Sequence, residues 1–178
     1  FRRKYKSTLK SGTFFLKFIK LNVICIPAYN EEVKIKDVIK KALPHADEVV
    51  VCDDGSSDNT AALAKKAGAT VVSHKTNQGY GAAISTLFDY CRKNNAEIMV
   101  TLDGDGQHNP DQIPDLINVI LKHKVDVVIG SRSLKDDKDL PSYRRTGIKI
   151  ITSTINSATN LKVTDSQSGF RAYSKTAI

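Results

Sequence analysis

The sequence predicts a doubly wound α/β domain, a mostly parallel sheet with helices on both faces. Short apolar, β-branched runs alternate along the chain with segments of helical period. Three of those runs break directly into polar clusters: PAYNE after the first, DDGSSD after the second and DGDGQH after the fourth. Strand ends of a parallel sheet share one edge, so the three clusters are expected in a single cleft. The chain has 178 residues, 40% hydrophobic and 26% charged, which suits one domain with a real core. It contains no internal repeat, low-complexity block or interdomain linker.

The elements follow in order. Asn22–Pro27 (NVICIP) reads as a buried strand, and Glu31 opens a helix to Leu43 with apolar Val33, Ile35, Val38 and Ile39, ended by Pro44. Glu48–Cys52 is the second strand. A helix over Asn59–Ala67 is capped by Ser57 or Asp58 and stopped by Gly68. Thr70–Ser73 is a third strand and Tyr80–Lys93 a long helix. The fourth strand, Ile98–Leu102, is followed by a helix over Pro110–Lys122 with Ile113, Leu116, Ile117 and Ile120 as its buried stripe. Asp126–Gly130 is the fifth strand, residues 135–139 a charged loop, Ser142–Asn160 a helix and Gly169–Ser174 the last strand.

The net charge of +8 belongs to one end. Residues 1–20 carry seven Lys/Arg and no acid, which leaves 20 basic residues against 19 acidic in the body. A nearly neutral body excludes a nucleic-acid-binding face. The basic segment also holds Phe14, Phe15, Leu16, Phe18 and Ile19. Lysines interrupt it too often for it to span a bilayer, but it suits peripheral binding to an anionic membrane surface. Cys25, Cys52 and Cys91 are widely spaced within apolar runs and fit no zinc or disulfide pattern. Buried, reduced thiols of a cytosolic protein are expected.

The chemistry concentrates at Asp103, Gly104, Asp105, Gly106 and Gln107. Residues two apart in an extended segment point the same way, so Asp103 and Asp105 can converge on one cation. With the Gln107 amide they form an all-oxygen set suited to Mg²⁺ or Mn²⁺, and Gly104 permits close approach of a ligand. The competing reading is a simple Asp-Gly turn. A calcium EF-hand loop fails, because its twelfth position would be Pro114 instead of Glu. There is no Gly-x-Gly-x-x-Gly after the first strand and no P-loop, so a nucleotide would have to be held by carboxylates and a metal. A sugar-nucleotide pyrophosphorylase would want a Gly-rich, basic signature where PAYNE stands. A phospho-receiver would want Lys at the end of the fifth strand, which ends in Gly130-Ser131-Arg132.

Taken together, PAYNE, DDGSSDNT, NQGYGAA, DGDGQHNP, GSR and DSQSGFR resemble the family 2 glycosyltransferases of GT-A fold. The resemblance is greatest to the dolichyl- and polyprenyl-phosphate sugar transferases, the dolichol-phosphate mannose synthase group, and runs from about Asn22 to the chain end. It implies a basic extension over residues 1–21 and a GT-A domain over 22–178. It further implies that Pro27, Ala28, Tyr29 and Glu31 line a nucleotide-sugar pocket, with Asp53 and Asp54 on base and ribose in an order the sequence does not decide. Asp103, Asp105 and Gln107 would hold Mg²⁺ or Mn²⁺, and Arg132 would reach donor phosphate. Arg144 or Arg145 would meet a lipid-phosphate acceptor, and Asp165 is the acidic acceptor-side residue. The implied reaction is an inverting transfer at the cytoplasmic face of a membrane. Simpler roles compete: Tyr29 packing on the sheet edge, Asp58 as a helix cap, Arg144 and Arg145 as a solvated helix start, Asp165 as a turn residue, and His108 as a neighbour of the metal cluster. Family members continue past the GFR segment with helices and basic residues, so a C-terminally truncated member is expected.

Overall fold

The alternation of apolar side chains resolves into two faces of one sheet. The computed structural model describes residues 21–131 and 164–178, together with Ser153 and Ser157. Its strands are β1 (Asn22–Ala28), β2 (Glu48–Asp53), β3 (Thr70–Ser73), β4 (Ile98–Thr101), β5 (Val127–Ile129) and β6 (Arg171–Ser174). Its α-helices are α1 (Ile35–Ala42), α2 (Thr60–Ala67), α3 (Tyr80–Lys93) and α4 (Ile113–His123). The strand order is β3-β2-β1-β4-β6-β5.

Successive residues of a strand point to opposite faces, and the core divides accordingly. Ile24 and Ile26 of β1, Val49 and Val51 of β2 and Val100 of β4 pack with Ile35, Val38 and Ile39 of α1, Ala64 of α2 and Ile113, Leu116, Ile117 and Ile120 of α4. Val23, Cys25, Val50, Cys52 and Met99 face the other way, onto Ala83, Leu87 and Cys91 of α3. Helices therefore cover both faces, and β1 is buried along nearly its whole length. At roughly 1.5–3 kcal/mol for each fully buried Val or Ile, these central strands supply most of the drive to fold, while edge strand β3 stays half-exposed. All three cysteines are free and buried, with Cys25 Sγ 3.5 Å from Cys91 Sγ.

β1 to β4 run parallel, as expected, but β6 lies antiparallel between β4 and β5. The sheet is thus mixed. Hydrophobic alternation marks a strand without stating its direction, so this insertion was invisible in the pattern. Two helix starts also move. Asn30 takes a left-handed backbone (φ 54), residues 31–34 form turns, and α1 begins at Ile35, which leaves Val33 80% exposed instead of in the stripe. A 3₁₀ turn over Pro110–Gln112 precedes α4, with the Asn109 side chain accepting from the Asp111 N–H. Of the expected helix over 142–160 only Ser153 and Ser157 are described, both of them helical, while the loop over 135–139 and residues 1–20 lie outside the described residues.

Candidate active site

Order along the sheet reverses between β1 and β4, the crevice at which open α/β sheets bind ligands. A cavity of about 660 Å³ opens there, a size suited to a small ligand. β1 contributes Pro27 and Ala28 to its wall, followed by Tyr29 and Glu31. Asp54 follows directly on β2. Asn77 and Tyr80 come from the approach to α3, and Thr101, Asp103, Gly104 and Asp105 from the end of β4. The far wall is the turn Ser166–Gly169 with Arg171 and Tyr173 of β6. Tyr29 is 47% exposed at this wall.

PAYNE and DDGSSDNT are stitched together by side-chain bonds to backbone. Asn30 N–H donates to Ser56 Oγ, Glu31 N–H to Thr60 Oγ1 and Glu32 N–H to Asp58 Oδ2. In return Ser57 N–H donates to Asn30 Oδ1 and Asn59 N–H to Glu32 Oε2. Asp58 also accepts from the Thr60 N–H, so it secures the start of α2 and the turn after β1 together.

Asp53 and Asp54 are both buried but differ in setting. Asp53 lies outside the cavity lining, and its Oδ1 faces the Ser56 N–H at 3.4 Å. Asp54 receives N–H bonds from Gln78 at 2.9 Å and Gly79 at 2.8 Å, with His74 Nδ1 at 2.6 Å. Burial pushes the Asp54 carboxyl up, but these donors outweigh it and hold its pKa below the usual carboxylate value. His74 reaches on to Thr86 Oγ1 at 2.9 Å, which ties β3, α3 and the loop between them to Asp54.

At the end of β4, Asp103 Oδ1 accepts from the Tyr80 hydroxyl at 3.3 Å, and His108 Nε2 lies 3.1 Å from Oδ2. Burial and the Asp103 carboxylate push the Tyr80 phenol up to about 12, so it remains a donor at neutral pH. Asp105 accepts from the Gln107 N–H at 2.9 Å, while the Gln107 side chain is exposed and outside the lining. Glu31 has its pKa raised by burial first, then by repulsion from Asp105, Asp58 and Asp103. Mutually repelling carboxylates on one wall are what a divalent cation relieves, and their oxygens suit Mg²⁺ or Mn²⁺. Among the described residues no three His, Cys, Asp or Glu side chains already converge as a metal cage. The donor set nevertheless fits such a cation, since Mg²⁺ is usually bound by one or two carboxylates with water and phosphate oxygens completing the shell.

Asp165 is buried, accepts from the Gln167 N–H at 3.1 Å and does not line the cavity, although the turn that follows it does. Arg132, Arg144 and Arg145 lie outside the described residues. Sequence reasoning overlooked Asn77, Tyr80, His74 and Arg171. A signal existed for Arg171: it alternates with Tyr173 on one face of β6, and both face the cavity. Its guanidinium donates to the carbonyls of Ser166 and Ser168, both at 2.8 Å, and so shapes the far wall.

A two-faced α/β sheet with an acidic cleft at its topological switch, and no Gly-rich phosphate loop in its sequence, has the layout of a ligand-binding α/β domain. Residues 23–178 match the Glycosyl transferase family 2, and the chain belongs to that family. It is 35% identical to the UDP-N-acetylglucosamine–dolichyl-phosphate N-acetylglucosaminyltransferase of Methanococcus voltae, over 89% of this chain and 71% of that protein. Identity is 32% to an undecaprenyl-phosphate 4-deoxy-4-formamido-L-arabinose transferase of Pseudomonas fluorescens, over 87% of this chain and 47% of that one. These similarities match the polyprenyl-phosphate sugar transferase group of the family. The structure superposes on the glucosyl-3-phosphoglycerate synthase of Mycobacterium tuberculosis, solved with Mn²⁺, UDP and glucosyl-3-phosphoglycerate. The TM-score is 0.67 at 25% identity, over 88% of this chain and 57% of the synthase. The fold is thereby that of the GT-A transferases.

Proposed function

We propose that this domain transfers a sugar from a UDP- or GDP-sugar to a polyprenyl-phosphate acceptor, with inversion and with help from a divalent cation. The observation that carries the reading is the single cleft shared by PAYNE, Asp54, the DGDG turn and the Ser166–Gly169 turn. Pro27 and Ala28 form the floor for the nucleotide and Tyr29 offers a flat face to its base. Asp54 retains acceptor capacity for a base N–H or a ribose hydroxyl beside the three donors it already has, with Asp53 bracing the loop behind it. Asp103 and Asp105 would hold Mg²⁺ or Mn²⁺, Gln107 joining them by a side-chain rotation. Such a cation neutralises charge on the departing nucleoside diphosphate. Gly104 keeps that wall low enough for the diphosphate to approach.

A lipid phosphate has a second pKa near ~6 and is substantially dianionic at neutral pH. It can attack the anomeric carbon without a general base, but cations must offset its repulsion from the donor. Arg132 on the donor side, and Arg144 or Arg145 on the acceptor side, would take that task. The basic, aromatic residues 1–20 would hold the protein at an anionic membrane on its cytoplasmic side, where such an acceptor is presented. Among the described residues no helix is long and apolar enough to cross a membrane. A second reading, a sugar or other hydroxyl acceptor, is favoured by the likeness to the glucosyl-3-phosphoglycerate synthase, and it would require Asp165 as general base.

The test is titration of the chain with UDP and with GDP, with and without Mn²⁺, beside Asp103→Asn. Mn²⁺-dependent binding of one nucleotide, lost in the variant, is expected and selects the donor class. No binding of either nucleotide by the folded protein overturns the proposal.

A further inference from the structure

Each oxygen of Asp103 has a protein partner, and the two partners are unequal. Tyr80 reaches Oδ1 from across the cavity at 3.3 Å and is 55% exposed. The His108 side chain is only 8% exposed, and its Nε2 stands 3.1 Å from Oδ2. An ionised carboxylate only accepts, so the proton of that contact sits on Nε2 and points at Oδ2. The plane of the imidazole is set from behind, where it stacks on Phe170 with centroids 5.4 Å apart and planes 26° from parallel. Phe170 is itself 3% exposed and lies so close to Gly130 that a Cβ there would strike the ring. Asp103 also meets Gly169, where a Cβ would collide with the carboxylate. Gly130, Phe170 and His108 are therefore a packed column ending on one oxygen of Asp103.

We propose that His108 is a positioning residue: it aims the Asp103 carboxylate at the cation of the donor complex, with Phe170 holding the ring and Gly169 leaving the clearance. The inference rests on reading Asp103 as a metal ligand. It assigns His108 outside the coordination sphere, because Nε2 is turned to the carboxylate and not to the cavity, which His108 does not line. It also makes the Ser166–Gly169 turn and the metal-side carboxylate one rigid unit, since Gly169 ends that turn against Asp103 and Phe170 follows it under His108. Outer partners of this kind set ligand orientation, and their loss typically costs about 10–100-fold in metal affinity.

The experiment measures Mn²⁺ uptake by electron paramagnetic resonance, for Mn²⁺ alone and with saturating UDP or GDP, in wild type, Asp103→Asn, His108→Phe and His108→Gln. His108→Phe keeps the stacking and removes the donor, and should weaken Mn²⁺ binding about tenfold or more. His108→Gln can donate from nearly the same place and should recover most of that loss, which a purely structural role would not produce. Wild-type affinity in His108→Phe, with binding lost in Asp103→Asn, overturns the positioning role alone. Mn²⁺ uptake that is absent in wild type, or equal in wild type and Asp103→Asn, overturns the metal reading and the inference with it. Should His108→Phe fail to fold, Phe170→Leu serves. It keeps bulk but loses the flat face, and unchanged Mn²⁺ affinity in it overturns the proposal.

Discussion

Asp103 and Asp165 are both carboxylates near the cleft, and their surroundings divide their work. Asp103 lines the cavity and faces two donors, whereas Asp165 is buried, outside the lining and just ahead of the Ser166–Gly169 turn. If the acceptor is a phosphate, no base is needed, and Asp165→Asn preserves the shape and acceptor oxygen that the Gln167 N–H uses. Steady-state rates should then fall far less for Asp165→Asn than for Asp103→Asn, by about 10²-fold or more between the two, given what charge stabilisation of a leaving group contributes. Equal losses in folded variants would favour the hydroxyl acceptor, because removing a general base costs typically 10²–10⁴-fold.

The elements of the site are joined by loops, and one tight joint between two loop backbones is Gly55. It follows Asp54 with φ 70, and a Cβ on it would come 2.5 Å from the carbonyl carbon of Thr76 and 2.7 Å from the nitrogen of Asn77. Those are backbone atoms, so a side chain could be admitted only by moving the loop that carries Asn77, Gln78 and Gly79. Gly55→Ala should cost about 1–3 kcal/mol by chemical denaturation and should weaken nucleotide binding as the donors to Asp54 shift. Unchanged stability would mean that the two loops separate easily. The strands and both core faces were legible because alternation and helical period are local. So was the convergence of PAYNE, DDGSSD and DGDGQH, which needs only parallel strands. The direction of β6, the turned start of α1 and the roles of Tyr80, His74 and Arg171 were not legible. Each depends on a partner 20 or more residues away: Asp103 for Tyr80, Asp54 for His74, and for Arg171 the strand β4 that brings it to the cavity.

At the scale of the whole molecule, Asp54, Asp58 and Glu31 act on stability in two opposite ways. Asp54 and Asp58 have folded pKa values below the ordinary value. For each, burial raises the pKa, and hydrogen bonds outweigh it: from Gln78, His74 and Gly79 to Asp54, and from Thr60 and Glu32 to Asp58. A depressed folded pKa means that the unfolded chain takes up protons first on acidification. Their contribution is therefore fully present above the unfolded Asp value of about 3.9 and is lost as pH falls through the folded values. Glu31 has the opposite sign. Its raised pKa reflects burial and repulsion by Asp105, Asp58 and Asp103, so its ionised form costs stability at neutral pH, and the cost fades as pH falls toward its ordinary range. The melting temperature should accordingly rise or stay level from pH 7 to about 5 and drop steeply below about 4. Asp54→Asn should flatten the acid limb, and Glu31→Gln should remove any gain between pH 7 and 5. Mg²⁺ or Mn²⁺ at pH 7 should reproduce that gain in wild type but not in Asp103→Asn, since a cation offsets the same repulsion that protonation of Glu31 removes. Melts at several pH values, with and without the ion, separate these outcomes. An acid limb unchanged by Asp54→Asn would show that the donors around Asp54 do not hold the loop before α3 to the sheet.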